Sequence, residues 1–258
     1  MEKQNCKHEW VEQNNKVVCN KCSKFELKLN ETKIDGLRIG IKDDGTNYSV
    51  RDTRNRYFYP DEWKDFMSNV SDNNKIIFET LIMTGARIQE AMMLKKSHII
   101  FERKKLILYT TKIKASKQER KSKPREITLS KTFLRKIKDF TLQMKDSDYI
   151  FLNNNKLENT TENEIKKIAH KRAENVYQLF KRILLKTKIK DTYNFSLHNI
   201  RKTHGMWLKC LNVKFEEICL RLGHDANTYL KHYGSADVFN EFQKREMINL
   251  FGDIYGFA

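Results

Sequence analysis

Two helix starts in this 258-residue sequence each carry side chains suited to binding an anion. In the stretch TGARIQE, Arg87 lies in the predicted first turn of a helix, where free backbone amides already favour negative charge. Glu90 follows one turn later and can orient the guanidinium, although an arginine and a glutamate at this spacing also form ordinary surface pairs. The stretch SLHNIR repeats the arrangement, with His198 and Arg201 one turn apart on one face. Each stretch could therefore bind a phosphodiester.

A histidine and a tyrosine complete the set at a fixed spacing. His224 stands in LGH, 23 residues after Arg201, and Tyr233 follows nine residues later. The ordered set resembles the tyrosine recombinase (phage integrase) family, whose pattern is an arginine in TGxRxxE, a lysine in a β-hairpin, HxxR, LGH and then a tyrosine. HxxR alone is common by chance, whereas the ordered set with this spacing is not. The resemblance covers roughly residues 56 to 258, and the matching residues are Arg87, Lys112, His198, Arg201, His224 and Tyr233.

The resemblance implies a role for each residue in attack on a DNA phosphate. Arg87 and Arg201 would bind the non-bridging oxygens with bidentate forks, which lysine could not replace. Tyr233 would be the nucleophile. Because a phenol with a pKa of about 10 is protonated at neutral pH, it must lose its proton as it attacks, and His198 is the candidate base. His224 would donate a hydrogen bond to a phosphate oxygen. Three residues near the motifs do not match the pattern: His204, Tyr229 and His232.

Lys112 is the predicted general acid for the departing 5′-hydroxyl, which has a pKa of roughly 15 and needs a proton donor to leave. It follows the second predicted strand in YTTKIK, like the TKxK of the family's hairpin. The end of a strand fixes a side chain better than a loop tip does. Lys114 and Lys117 lie in the same loop and remain alternatives. The segment from Glu102 to Glu126 holds ten basic and three acidic residues, and some of them are expected to contact DNA phosphates.

The implied reaction is a transesterification that leaves a 3′-phosphotyrosyl link and a free 5′-hydroxyl. A second 5′-hydroxyl can reverse this step without ATP. No cofactor is expected for catalysis, because the motifs hold no carboxylate cluster of the kind that a two-metal nuclease needs. The sequence thus predicts a site-specific DNA recombinase, the integrase of a virus or other mobile element. Two alternatives remain: DNA relaxation as by a type IB topoisomerase, and a catalytically inactive DNA-binding regulator, which the six filled positions disfavour.

The first 28 residues predict a small zinc ribbon. Cys6 and His8 form one close pair, and Cys19 and Cys22 form a second pair after a stretch that can make a hairpin. Two such pairs suit a tetrahedral zinc ion, and four ligands leave no open position, so the ion would be structural. The alternative is a redox-active CxxC beside an unrelated cysteine. A zinc-ribbon transcription factor would explain these residues and nothing beyond them.

The charge of the chain points to DNA as its partner. Lysine and arginine outnumber aspartate and glutamate by 50 to 33, which gives a net charge of +17. This excess indicates a polyanionic partner, with nucleic acid as the leading candidate, although a lysine-rich proteome from an AT-rich genome would show it too. The family resemblance implies that the partner is double-stranded DNA. No apolar run approaches the roughly 18 residues that span a bilayer, and the N-terminus is too polar for a signal peptide, so a cytoplasmic, DNA-associated protein is expected. The ribbon and the composition suggest an archaeal host.

The elements that must position the motif residues are mostly helical. The fold class predicted is α+β, mainly α with a small three-stranded antiparallel β-sheet, in the tyrosine recombinase catalytic-domain fold. Strands are expected at 99–101, 106–109 and 126–129. The expected helices are one capped by Asp72 and ending at Gly85, one from about Ala86, one from Ser130, a long one including Ile165 to Leu184, one from Ser196, one from Lys214 to Leu222 and one from Ser235 onward.

The predicted domains are a zinc ribbon at 1–28, a linker at 29–55 that can hold a short hairpin, and the catalytic domain at 56–258. The gap before the catalytic domain is too short for the helical core-binding domain of most family members. We therefore expect the ribbon to help grip DNA, with another protomer or protein as the alternative. The apolar stripe from Val238 to Phe251 would either dock on a neighbouring protomer, making a homo-oligomer on DNA, or cap the core of its own chain.

Overall fold

The structure is a computed structural model. It describes residues 10–13, 16–19, 25–28, 38–41, 47–50, 56–109, 124–190, 192–233, 239–251 and 254. The chain divides into two compact units, Met1–Val50 and Arg51–Ala258.

The first unit contains two small antiparallel sheets. Three strands pair in the order β1-β2-β3: β1 Trp10–Gln13, β2 Lys16–Cys19 and β3 Phe25–Lys28. A second pair, β4 Arg38–Ile41 and β5 Asn47–Val50, lies where the sequence allowed a short hairpin in the linker. Of the predicted zinc ligands, Cys19 is the last residue of β2, while Cys6, His8 and Cys22 lie outside the described residues. The zinc ribbon therefore stays a prediction.

The second unit is mainly helical and carries a three-stranded antiparallel sheet in the order β6-β7-β8. Its strands are β6 Ile99–Ile100, β7 Lys105–Leu108 and β8 Arg125–Thr128. Its helices are α1 Pro60–Ser68, α2 Asp72–Thr84, α3 Ile88–Met92, α4 Lys131–Phe140, α5 Glu162–Leu184, α6 Leu197–Cys210, α7 Phe215–Leu222, α8 Ala226–Tyr233 and α9 Glu241–Phe251. The mainly helical class with a small antiparallel sheet is confirmed.

Helix α2 runs through the centre of this unit, because most of its residues after the first turn are apolar. Ile77, Phe78 and Leu81 are buried, and the Phe78 ring meets the Phe66 ring edge-on at a centroid distance of 5.1 Å. Burying side chains of this size stabilises the fold by about 1.5–3 kcal/mol each. The helix ends at Gly85, whose φ of 62° is left-handed and whose N–H donates to the Leu81 carbonyl. The left-handed residue turns the chain sharply, so that the residues after it lie at the candidate site.

The sheet shows the alternation expected of strands with one buried face. Leu106, Leu108 and Ile127 are buried, whereas Glu126 is exposed and pairs with Lys105 across the strands. The predicted strand positions are confirmed to within one residue at the ends. Lys112 follows β7 and lies outside the part of the chain that the structure describes.

The helices near the end of the chain differ from the prediction. Helix α8 was not predicted, and α9 begins at Glu241 rather than at Ser235. Helix α8 was missed because its eight residues, ANTYLKHY, carry no continuous apolar stripe, and packing rather than pattern stabilises it. At the other end of the unit, α2 is capped by Ser71 rather than Asp72, a shift of one residue.

Among the described residues, no helix is long and apolar enough to cross a lipid bilayer. The same residues contain no group of three or more His, Cys, Asp or Glu side chains placed to hold a metal ion.

Candidate active site

Arg87 occupies the N-cap position of α3 rather than its first turn, which corrects the prediction by one residue. The cause is the Glu90 carboxylate, which accepts the Arg87 backbone N–H at 2.8 Å and the Arg87 Nη1 at 2.9 Å. Glu90 thus fixes both the backbone and the side chain of Arg87. The Arg87 side chain remains 33% exposed, so its guanidinium is open to a ligand from solvent.

Glu90 is fully buried and lies among three arginines. Besides Arg87, it accepts a two-pronged contact from Arg125, with Nη2 at 2.7 Å from Oε2 and Nη1 at 3.2 Å from Oε1. The Nη1 of Arg201 lies 4.0 Å from Oε2. Burial alone would raise the pKa of Glu90, but the hydrogen bonds and charges of Arg125 and Arg87 outweigh it, and the net shift is downward. Three guanidiniums and one carboxylate leave this cluster with an excess of two positive charges.

Arg201 is buried on α6 and tied to the ends of two other helices. It donates to the carbonyl of Gly85 at 2.6 Å, to the carbonyl of Leu222 and to Nε2 of His224 at 3.1 Å. Burial, followed by the charge of Arg87, lowers the pKa of Arg201 to about 9, so it stays protonated at neutral pH. Arg201 therefore holds together the segments that carry Arg87 and His224.

Tyr233 lies beside His224 at the end of α8. The two rings are nearly parallel, with centroids 6.2 Å apart, and the Tyr229 ring is 5.4 Å away on α8. Only 1% of Tyr233 is exposed. Burial raises the pKa of the phenol to about 12, although the charges of Arg201 and Arg87 act in the opposite direction. The candidate nucleophile is thus held protonated within the field of both arginines.

The ring of Tyr233 fits against α6 because residue 205 is glycine. A Cβ at Gly205 would stand 2.7 Å from Cε1 and Cζ of Tyr233 and 2.9 Å from Cδ1 of Leu222. Gly205 lies four residues after Arg201, so the two share one face of α6. The absence of a side chain at 205 brings the phenol close to the Arg201 end of the site.

The structure brings four of the six predicted catalytic residues together: Arg87, Arg201, His224 and Tyr233. His198 lies in the first turn of α6, one turn before Arg201, and is exposed to solvent. It is therefore accessible to a ligand from solvent. Lys112 lies outside the described residues, and its assignment over Lys114 and Lys117 stays a prediction.

Arg125 is the site residue that sequence reasoning missed. It is 9% exposed and begins β8, where its side chain shares the inward face with Ile127. A signal was present: an arginine at an inward position of an alternating strand needs buried hydrogen-bond acceptors, such as a carboxylate or backbone carbonyls. Arg125 belongs to the basic stretch from Glu102 to Glu126 that is expected to contact DNA, but in the structure it is buried against Glu90.

His204 connects the helices around the site through hydrogen bonds, although it does not match the family pattern. It donates from Nδ1 to the carbonyl of Ile82 at 2.6 Å and accepts from Nε of Arg221 at 2.9 Å. Arg221 also donates to the carbonyls of Met83 at 2.8 Å and Thr128 at 3.0 Å. Full burial, together with the charge of Arg221, holds the pKa of His204 well below 6.5. This neutral histidine links the end of α2 to α6 and α7.

The Tn1549 transposon integrase in complex with transposon right end DNA superposes with a TM-score of 0.55 at 16% identity, covering 80% of this chain and 68% of that chain. The XerA recombinase superposes with a TM-score of 0.51 at 19% identity, covering 75% of this chain and 64%, less than two thirds, of that chain. No curated protein matches the sequence. Residues 56–238 match the phage integrase family, and because this match spans more than half of the sequence, the chain belongs to that family of tyrosine recombinases.

Proposed function

We propose that this protein is a site-specific DNA recombinase, the integrase of a virus or other mobile element. The observation that carries the proposal is the gathering around Arg201: His224 at 3.1 Å, the Arg87–Glu90 pair within 4.0 Å, and Tyr233 beside His224. These groups can bind a phosphodiester and attack it. Membership of the phage integrase family and the DNA-bound Tn1549 integrase support DNA as the substrate.

Attack begins with a DNA phosphate entering the exposed side of the arginine cluster. Arg87 and Arg201 would bind its two non-bridging oxygens, and His224, once protonated at Nε2, would donate a hydrogen bond from that atom to a phosphate oxygen. The phenol oxygen of Tyr233 would form a bond to phosphorus as its proton passes to His198, and the bond to the 5′-oxygen would break. Lys112 would protonate the departing 5′-oxygen, which leaves as a 5′-hydroxyl. The product is a 3′-phosphotyrosyl link, from which a second 5′-hydroxyl can restore a phosphodiester without ATP.

The raised pKa of Tyr233 has a direct consequence for control of this reaction. At pH 7 a phenol with a pKa of about 12 is ionised in only about one molecule in 10⁵. Free protein therefore presents a poor nucleophile. A bound phosphate adds a further negative charge beside the phenol, so a nearby base must take the proton. Attack therefore requires both DNA and His198 to be correctly placed.

Capture of a covalent adduct tests the proposal. Wild-type protein would be mixed with nicked DNA duplexes of randomised sequence, in which cleavage just upstream of the nick releases a short fragment that carries the free 5′-hydroxyl and so traps the intermediate. We expect a band that survives denaturing electrophoresis, with mass spectrometry placing the DNA on Tyr233. Sequencing of the trapped strands gives the target. Tyr233→Phe should abolish the band, and Tyr229→Phe, which changes the neighbouring ring of α8, should keep it.

The outcomes separate the candidate functions. Joining of the trapped strand to a different duplex supports recombination, whereas relaxation of supercoiled DNA without such joining supports a topoisomerase. DNA binding without any adduct identifies an inactive regulator. An adduct on a residue other than Tyr233 contradicts the proposed mechanism.

We also propose that Cys6, His8, Cys19 and Cys22 hold a structural zinc ion, which stabilises the N-terminal ribbon for DNA binding and takes no part in catalysis. Three thiolates and an imidazole suit zinc. Trp10, the first residue of β1, pairs with Cys19, the last residue of β2. The start of β1, which follows Cys6 and His8 in the sequence, and the end of β2, which precedes Cys22, therefore lie at the same end of the strand pair. Cys22→Ser should remove about one equivalent of zinc in elemental analysis and weaken DNA binding. Full zinc content in that variant would contradict this ligand set.

The C-terminal segment packs on its own chain in the structure. Met247 and Phe251 of α9 are buried, and the Phe251 ring lies 5.6 Å from the ring of His204. This arrangement supports the interpretation of the stripe as a cap on its own core. We propose that protomers still meet on DNA through this segment, by way of its exposed residue Phe242. Phe242→Ser should reduce the mass of the DNA complex in light scattering and leave the free protein unchanged; an unaltered complex would contradict this.

A further inference from the structure

We infer that Arg125, which stands outside the catalytic pattern of the family, is a positioning residue that sets the orientation of Arg87 and Arg201. The inference rests on the proposed function. It assigns Arg125 no contact with DNA, since the side chain is 9% exposed and its fork is directed at Glu90.

The fork of Arg125 fixes the rotation of the Glu90 carboxylate. Oε1 accepts from Nη1 of both Arg87 and Arg125, while Oε2 accepts from the Arg87 backbone and from Nη2 of Arg125. Two parallel donors on one side hold the carboxylate plane, and that plane determines where Nη1 of Arg87 lies. A lysine could supply the charge at position 125 but only a single point of contact.

Arg125 also touches the segment that carries His224. A Cβ at Gly223 would stand 2.8 Å from Nη1 and 2.9 Å from Cδ of Arg125, so the guanidinium packs directly against the backbone there. Gly223 lies between Leu222, whose carbonyl accepts from Arg201, and His224. One side chain from the sheet therefore supports both the Glu90 carboxylate and the turn to which Arg201 is bonded.

Stability alone does not explain a buried ion pair of this kind. Removing two charges from water costs several kcal/mol per ion, and well-packed apolar residues are often at least as stabilising. The charged groups that face Glu90 come from three elements: Arg87 before α3, Arg125 on β8 and Arg201 on α6. If Arg125 is replaced, burial pushes Glu90 towards its protonated form, and a protonated carboxyl group has lost acceptor capacity for Arg87. The defect should therefore depend on pH.

Single-turnover adduct formation would be measured from pH 6 to pH 9 for wild type, Arg125→Lys, Arg125→Met and Lys136→Met. The last variant is the matched control, because it removes the cation of an ion pair with Glu79 away from the site. At pH 7 we expect Arg125→Met to form adduct about 10–100-fold more slowly, with DNA affinity within about twofold of wild type. The ratio of its rate to the wild-type rate should rise with pH, as Glu90 ionises again. Arg125→Lys should lie between, and Lys136→Met should match wild type throughout.

Carbon-13 NMR of the Glu90 carboxyl gives a second measurement that needs no catalysis, with Glu90→Gln to assign the signal. We expect its titration to move to higher pH in Arg125→Met. An Arg125→Met rate equal to wild type, or a loss that is the same at every pH and is restored fully by lysine, would overturn the inference. If Arg125→Met does not fold, the Arg125→Lys profile decides. If wild type itself forms no adduct, the proposed function fails, and an unchanged Glu90 titration would overturn the positioning role separately.

Discussion

Replacing Gly205 by alanine tests whether the ring of Tyr233 lies where the structure puts it. Gly205 is inside α6, and the new Cβ would stand 2.7 Å from Cε1 and Cζ of Tyr233. An ordinary carbon–carbon contact is about 3.5–4.0 Å, so the ring must move by roughly 1 Å. The new Cβ would also stand 2.9 Å from Cδ1 of Leu222, but this atom is the end of a flexible side chain that can move away.

Two opposing effects set the magnitude. In a helix interior, alanine is more favourable than glycine by about 0.8–1.0 kcal/mol. Overpacking a buried site typically costs about 1–3 kcal/mol. We therefore expect Gly205→Ala to lower the free energy of unfolding by up to about 2 kcal/mol. In a Tyr233→Ala background the clash is gone, and the same change should raise the free energy of unfolding by about 1 kcal/mol.

Urea unfolding of the four chains, wild type, the two single variants and the double variant, measures this difference directly as a coupling energy. We expect a coupling of about 1–3 kcal/mol between positions 205 and 233. Adduct formation by Gly205→Ala should fall about 100-fold, because a misplacement of 1 Å at a reacting group costs about that much. If Gly205→Ala stabilised both backgrounds equally and formed adduct at the wild-type rate, the assigned position of the Tyr233 ring would be wrong.

Three other buried groups give measurable outcomes. The pKa of His204 is well below 6.5, so the unfolded chain binds the proton more readily; the free energy of unfolding should fall as pH drops below about 6.5, and less so in His204→Gln. The pKa of Tyr233 is about 12, so the free energy of unfolding should fall as pH rises above about 10, by up to about 1.4 kcal/mol per pH unit. Tyr233→Phe should remove the part of this pH dependence that comes from Tyr233 and leave the part that comes from Tyr57, whose pKa is also about 12. Phe251→Ala should lower the free energy of unfolding in urea by about 3–5 kcal/mol, because Phe251 is buried. Phe242 is 71% exposed, so Phe242→Ala should lower it by less than about 0.5 kcal/mol. Equal effects would contradict the packing of α9.

The local arrangement of the motif residues could be predicted from sequence because helix geometry fixes it. His198 and Arg201 are three residues apart on α6, and Gly85 ends α2 as its left-handed φ requires. The position of Arg87 was wrong by one residue, because the capping geometry depends on where the Glu90 carboxylate points, and that direction is set by Arg125 from another element.

Contacts between distant elements could not be predicted in this way. Arg125 and Glu90 are 35 residues apart, and nothing local indicates that they meet. The burial of Tyr233 depends on Gly205 having no side chain, which is a property of a different helix. The role of His204 was hidden for the same reason, since Arg221 and the Ile82 carbonyl approach it from two other helices. Each missed feature is a pairing across elements, which residue spacing does not encode.

The charge of the arginine cluster connects these contacts to catalysis. Three guanidiniums share one carboxylate, and burial, followed by the like charge of Arg87, lowers the pKa of Arg201. In the proposed reaction, a phosphodiester would bring one negative charge and relieve part of the repulsion between the guanidiniums, and the transition state for attack would bring a second. Stabilisation would therefore grow as the reaction proceeds, which is the condition under which binding energy accelerates a chemical step. This gain requires the guanidiniums to be held in place before DNA arrives. Glu90, with Arg125 behind it, is the group that holds Arg87, and the Gly85 and Leu222 carbonyls hold Arg201.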